Sequence, residues 1–343
     1  MEIKELKKIA KDRMKGYCRL CKECNGIACA GEVPGMGGKG SGESFKRNYE
    51  TLKNVKLVLK TIHDVKDPDM SVEIFGKKID LPFITAPVTG NSINMGGFLT
   101  EAQYSDYVVF GSIEAGTFAM TGDSGNPQFY IDGLNSIKKA NGIGIPIIKP
   151  RENMKIIENI KKAEETGAIG VGIDIDGAGL LTMALHGQPV GPKTVDELKE
   201  LTSSTKLPFI LKGIMSVEEA ELAVEVGASA IVVSNHGGRI LDYTLGVAEV
   251  LPKISKAVKG KITIFADGNV RNGVDILKYI ALGADAVLAG RPIIWGAYGG
   301  GKEGVKLIIE NLKEELKQAM ILTGCKDVKS IDSSKIINLN KQF

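Results

Sequence analysis

No stretch of this sequence is apolar for long enough to cross a bilayer, and the N-terminus MEIKELKKIAKDRMKG lacks an apolar core followed by a small-residue cleavage site. The chain therefore reads as a cytoplasmic protein with no membrane partner. Charge imbalance is also missing: the net charge is +3 over 343 residues, and Lys and Arg gather only mildly toward the N-terminus. Nucleic-acid binding gains no support from that balance. Aromatic residues are few at 6%, with a single Trp, and there are only three His. A reaction that needs a histidine near neutral pH thus has few places to occur. Cysteine is scarce outside one place, since four of the five fall between positions 18 and 29.

What is present is an ordinary globular composition, 43% hydrophobic and 25% charged. The length suits one α/β barrel with a terminal extension better than two equal domains. Ile3, Leu6, Ile9 and Ala10 recur at helical spacing, which predicts a short amphipathic helix over residues 3–15. The cysteines follow, and then GEVPGMGGKGSG (31–42), a loop with six glycines. These segments predict an extension over residues 1–45 and a barrel over 46–343.

From residue 82 short apolar runs alternate with helical patterns. Strands are expected at Pro82–Ala86, Tyr107–Phe110, Ile145–Ile148, Ile169–Ile175, Phe209–Lys212, Ala230–Ser234, Thr263–Ala266 and Ala286–Ala289. Several are continuously apolar, as parallel strands covered on both faces are. A last amphipathic helix is expected from about Glu303 to Leu322. Lys149, Asp174, Asp176, Lys212, Ser234, His236, Asp267 and Arg291 all fall at or just after strand C-termini. In a (β/α)₈ TIM barrel those ends share one face, where active sites form, and this favours the barrel over a doubly wound sheet.

Three blocks stand at successive strand ends: Leu211-Lys212-Gly213-Ile214; Ser234 to Asp242 (SNHGGRILD); and Asp267-Gly268-Asn269-Val270-Arg271 with Gly290-Arg291-Pro292. With Leu322-Thr323-Gly324-Cys325, they resemble the FMN-dependent 2-hydroxy-acid oxidase and dehydrogenase family, from about residue 50 to 335. The resemblance implies FMN as cofactor and oxidation of a small 2-hydroxy acid, lactate-like in kind, to the 2-keto acid. It also implies His236 as catalytic base, Arg239 as carboxylate binder, Asp176 as the residue that orients the base, and Lys212 beside flavin N1 and O2. Asp267, Gly268, Arg271, Gly290 and Arg291 correspond to the FMN phosphate and ribityl site. Ser234 is implied at the cofactor too, and Ala86, Pro87 and Val88 lie against the ring. The family tends to form homotetramers. Each residue has a plainer reading as well: a structural His, turn glycines, a capping Asp.

The departures are specific. Gln128-Phe129-Tyr130 imitates the family's Gln-x-Tyr pair, but it precedes the strand that ends at Lys149 and is read as a decoy. No second Arg follows Asp176, and no pocket Tyr is found. Lys149 could supply part of the lost charge, although a strand-end Lys is more often a solvated surface group. Cys18-x₂-Cys21-x₂-Cys24-x₄-Cys29 predicts a metal site, an iron–sulfur cluster or zinc, and with it a redox partner protein. Two other functions compete: an FMN-dependent isomerase resembling type 2 isopentenyl diphosphate isomerase, and a flavin and metal redox module with no substrate of its own.

Overall fold

The computed structural model describes residues 1–340, so the last three positions assigned to the barrel lie outside the described residues. Eight parallel strands form the barrel: β1 (Phe83–Thr85), β2 (Met120–Thr121), β3 (Ile145–Ile148), β4 (Val171–Asp174), β5 (Phe209–Ile214), β6 (Ala230–Val233), β7 (Thr263–Ala266) and β8 (Ala286–Ala289). They pair in sequence from β2 to β8, and β8 pairs with β1. The ring closes between β1 and β2, where Thr85 bridges Ala119 and its N–H donates to the Phe118 carbonyl at 3.1 Å.

The barrel interior is filled by Ile84, Met120, Ile145, Ile147, Ile210, Val232, Phe265 and Leu288. A hairpin of Val72–Ile74 and Lys77–Ile79 adds Ile74 and Ile79 to this interior cluster. Its turn residue Phe75 meets Phe265 edge-on, with ring centroids 6.2 Å apart. The opposite end, where the strands finish, stays open.

One expected strand is corrected. Tyr107–Phe110 belongs to the helix Glu101–Glu114, and β2 is the two-residue strand Met120–Thr121. The run is rich in β-formers, yet Thr100 and Gln103 form a capping box that starts a helix, and Tyr104, Val108 and Ser112 then share its buried face. The other seven strands lie where expected, within a few residues.

Helix Ile3–Arg13 buries Leu6 and Ala10 against the C-terminal helix Arg291–Thr323. The latter breaks at Gly300 and Gly301, so its second half is the helix expected from Glu303, with Val305, Ile308, Ile309, Leu312, Leu316 and Met320 buried. The segment between helix Ile3–Arg13 and helix Glu43–Lys53 reaches the barrel mouth: Lys39 N–H donates to the Gly238 carbonyl at 2.8 Å. No described helix is long and apolar enough to cross a membrane.

Candidate active site

The strand ends converge on a cavity of about 430 Å³. Its wall includes Lys149, Asp174, Lys212, His236, Arg239, Asp267, Arg271 and Arg291, contributed by every strand end from β3 to β8. Ala86, Pro87, Val88, Gly268 and Gly290 line it as well.

His236 follows β6 in a turn whose three residues His236, Gly237 and Gly238 have φ of 59°, 63° and 77°. A non-glycine residue in this left-handed region is uncommon and disfavoured, so the turn is held by its neighbours. Ser234 holds it. Its hydroxyl accepts from His236 N–H at 3.0 Å and donates to Asp267 Oδ2 at 2.8 Å. Ser234 is fully buried, and its hydroxyl supports the turn from behind the residues that line the cavity.

The His236 Nδ1 lies 3.0 Å from Asp176 Oδ1, which leaves Nε2 for the cavity. Asp176 sits in the 3₁₀ turn Ile175–Gly179 after β4. It can approach because β5 bulges at Gly213, where φ is +107° and an added Cβ would stand 2.6 Å from the Asp176 Cβ. Asp174, ending β4, is the hub of the charge network: Lys212 Nζ is 2.8 Å from its Oδ1, His236 Nδ1 is 3.5 Å from the same oxygen, and Lys149 Nζ bonds its Oδ2. Burial alone would raise the Asp174 carboxyl, but the charges of His236, Lys149 and Lys212 outweigh it and hold the group well below the usual carboxylate range. Lys212 is raised in turn: burial opposes its charge, and Asp174, Asp176 and Asp267 together prevail. The surface role considered for Lys149 is thereby corrected, since it is 9% exposed and ion-paired inside the cavity.

The arginines stand differently. Among the described residues no Asp or Glu lies within 4.0 Å of the Arg239, Arg271 or Arg291 guanidinium. Arg239 donates to the carbonyls of Gly35 and Gly37 and to Asn94 Oδ1. Arg291 donates to the Met36, Gly37 and Gly237 carbonyls and stacks 3.9 Å over Phe45. Burial, with the charge of Arg291, pushes Arg239 down to about 9, and burial, with the charge of Arg271, pushes Arg291 down to about 10. Arg271 Nε is buried without a bonded partner, as are Asp267 Oδ1 and Asn269 Oδ1. Such groups are costly unless an ionic, hydrogen-bonding ligand meets them. The donor set fits FMN: guanidinium groups and the strand-end loops of Gly268 and Gly290 for a phosphate, and Lys212 for a ring that becomes anionic on reduction.

Gln128 lies on the helix Pro127–Lys139, exposed and bonded to Asp132, outside the cavity as expected of a decoy. A buried pair that sequence reading missed, Arg151 with Asp123, braces the end of β3, and Asp123 also accepts the Lys149 N–H at 2.8 Å. Its signal was the charged Lys149-Pro150-Arg151 after an apolar strand.

The four cysteine sulfurs do not form a group within 4.8 Å of one another among the described residues. Four thiolates on one zinc at about 2.3 Å must stand within about 4 Å of one another. Among the described residues the one metal-competent group with donor atoms within 4.8 Å is Asp174, Asp176 and His236, in which Asp174 is already paired with both lysines and Asp176 with the histidine. Cys21 is exposed, while Cys18, Cys24 and Cys29 are partly buried beside the arginines. Arg271 Nη2 donates to Cys24 Sγ at 3.4 Å. Burial would raise the Cys24 thiol, but Arg271 and Arg291 lower it.

A closed parallel barrel whose mouth joins a His–Asp pair, a buried Lys and three anion-seeking arginines defines a flavin-type oxidoreductase site. The profile of the FMN-dependent dehydrogenase family matches residues 35–99 and 145–338, and the chain belongs to that family. It is 34% identical to a 2-hydroxyacid oxidase of Dictyostelium discoideum, covering 87% of this chain and 83% of that protein. It is 31% identical to an L-lactate oxidase of Nostoc sp., covering 87% and 91%. A crystal structure of a mandelate oxidase variant with 2-hydroxy-phenylacetamide superposes with a TM-score of 0.78 at 29% identity, covering 97% of each chain. The protein is an FMN-dependent oxidoreductase.

Proposed function

We propose that the barrel mouth oxidises a small 2-hydroxy acid to the 2-keto acid. The observation that carries this is the pairing, in one cavity, of a histidine held by Asp176 with a buried arginine that has no acidic partner. Arg239 would take the substrate carboxylate, because its planar fork matches two oxygens. His236, oriented through Nδ1, would accept the hydroxyl proton at Nε2. Asp176 then stabilises the imidazolium. Arg271 and Arg291 would hold the FMN phosphate, and Lys212 would face the end of the ring where negative charge collects. FMN, when bound, supplies the acceptor for the electron pair that leaves the α-carbon. Ile93, Leu180, Met183 and Ile240 give the cavity an apolar wall, which suits an aliphatic or aryl side chain on the acid better than a second carboxylate. Anaerobic addition of a panel of 2-hydroxy acids to the FMN-loaded protein tests this: bleaching of the flavin by at least one member is expected, and no bleaching by any would overturn it.

For the cysteines we infer an iron–sulfur cluster, serving a redox partner protein. Cys18, Cys24 and Cys29 each feel the charge of Arg291, and Cys18 and Cys24 feel one another. Separated thiolates in a cationic setting suit a cluster, which is larger than one ion. Iron and sulfide in anaerobically prepared protein, lost in Cys21→Ser, are expected; no metal would end this reading.

A further inference from the structure

Lys149 is a buried cation that the proposed chemistry leaves without a task. It ends β3, its N–H is fixed by Asp123, and its ammonium lies on Asp174 at the cavity wall. Asp174 in turn stands 3.5 Å from His236 Nδ1, the nitrogen that Asp176 holds at 3.0 Å. We propose that Lys149 is a positioning residue that limits the pull of the acidic pair on a proton at His236, by neutralising Asp174, the second of the two carboxylates facing it. This rests on the reading of His236 as the base.

The physical case is a charge count around the imidazole. Asp174 and Asp176 approach it from β4 and the turn after it, Lys212 Nζ lies 3.3 Å from Nδ1 on β5, and Lys149 reaches in from β3. Asp267, ending β7, adds a carboxyl that burial raises, which weakens its claim to a full negative charge. Arg291 after β8 reaches the Gly237 carbonyl beside the imidazole, and Arg239 lies three residues on in the same turn. With Lys149 and Lys212 set against Asp174 and Asp176, the inner group is neutral when the imidazole is neutral. Remove Lys149 and the same group carries −1, which favours the imidazolium, the form that cannot accept a proton. At separations of several ångströms and an effective dielectric near 20, one such charge moves a protonation equilibrium by about one to two pH units. Lys212 cannot do this alone, because its single charge, 2.8 Å from Asp174, leaves one of the two carboxylates uncompensated.

Two variants give opposite signs. In Lys149→Gln the acid limb of the pH profile of anaerobic flavin reduction should move up by about one to two units, with the high-pH plateau kept within about threefold. In Asp174→Asn, where Lys149 stays and its counter-charge is lost, the limb should move down. The double variant should return toward wild type, and Lys149→Arg should keep the wild-type limb. The same titration is followed without cofactor or substrate by NMR of the imidazole protons, assigned against His236→Gln; with three His in the chain the signal is resolvable. Shifts of opposite sign in the two single variants support the proposal. An unmoved limb and imidazole in folded Lys149→Gln, or shifts of the same sign in both variants, overturn it. If Lys149→Gln does not fold, Lys149→Met, which keeps the apolar stem and drops the charge, gives the same readout with the same expected upward shift. If the imidazole shifts as stated but no hydroxy acid bleaches the flavin, the functional reading fails while this one stands.

Discussion

Arg239 Nη1 donates to the carbonyl of Gly35, so the guanidinium that faces the cavity also pins the glycine-rich loop of the N-terminal segment. Substrate binding and loop position are therefore coupled through one side chain. Arg239→Lys keeps the charge and loses the fork. It should weaken hydroxy-acid binding by about tenfold to a hundredfold in anaerobic titration and make the 31–42 loop easier to cleave with protease. Unchanged binding would remove Arg239 from the carboxylate site.

His236→Ala should lower single-turnover flavin reduction by at least about a hundredfold, the usual scale for a positioned base. FMN affinity should stay within a few-fold, since the phosphate arginines are untouched. Fluorescence quenching of added FMN and stopped-flow reduction separate the two effects, and an unchanged reduction rate would take the histidine out of the chemistry.

Lys212→Met removes one of the cations that hold Asp174 ionised. The Asp174 carboxyl is lowered in the folded protein, so its contribution to stability is present above its unfolded value near 4 and is lost as pH falls through the folded value. Without Lys212 the buried carboxylate is under-compensated at neutral pH, and protonation relieves it. The stability difference from wild type, read by urea unfolding, should be largest near pH 7 and shrink as pH falls toward 3. The same variant should lower the reduction potential of bound flavin, because the ring loses its nearest cation. A stability gap that is constant with pH would contradict the ion-pair account.

Gly213→Ala tests how Asp176 reaches the histidine. At φ +107° an alanine is strained, and its Cβ would stand 2.6 Å from that of Asp176. The expected cost is about 1–3 kcal/mol of stability together with slower flavin reduction, as the aspartate is pushed off the imidazole. Wild-type kinetics in the folded variant would show that Asp176 does not orient the base.

The sequence by itself determined the barrel and most of its mouth. Continuous apolar strands such as Ala230–Val233 each end in a polar residue, and that repeated edge locates the catalytic face before any coordinates are known. His236, Arg239, Lys212, Asp267 and Arg291 were legible this way, because each lies near the C-terminal end of a strand or in the loop that follows it. The two-residue β2 was not, since a strand so short leaves no periodic signal and Tyr107–Phe110 offered a better one. Only the tertiary structure decided what the charges do to one another. Lys149 reads as a surface lysine until β3 and β4 lie side by side and bring it onto Asp174. The cysteines likewise acquire their arginine neighbours across more than two hundred positions of chain, a proximity that spacing within the motif does not encode. Strand register fixes which strand ends meet, and the meeting of those ends sets the charge state of the base.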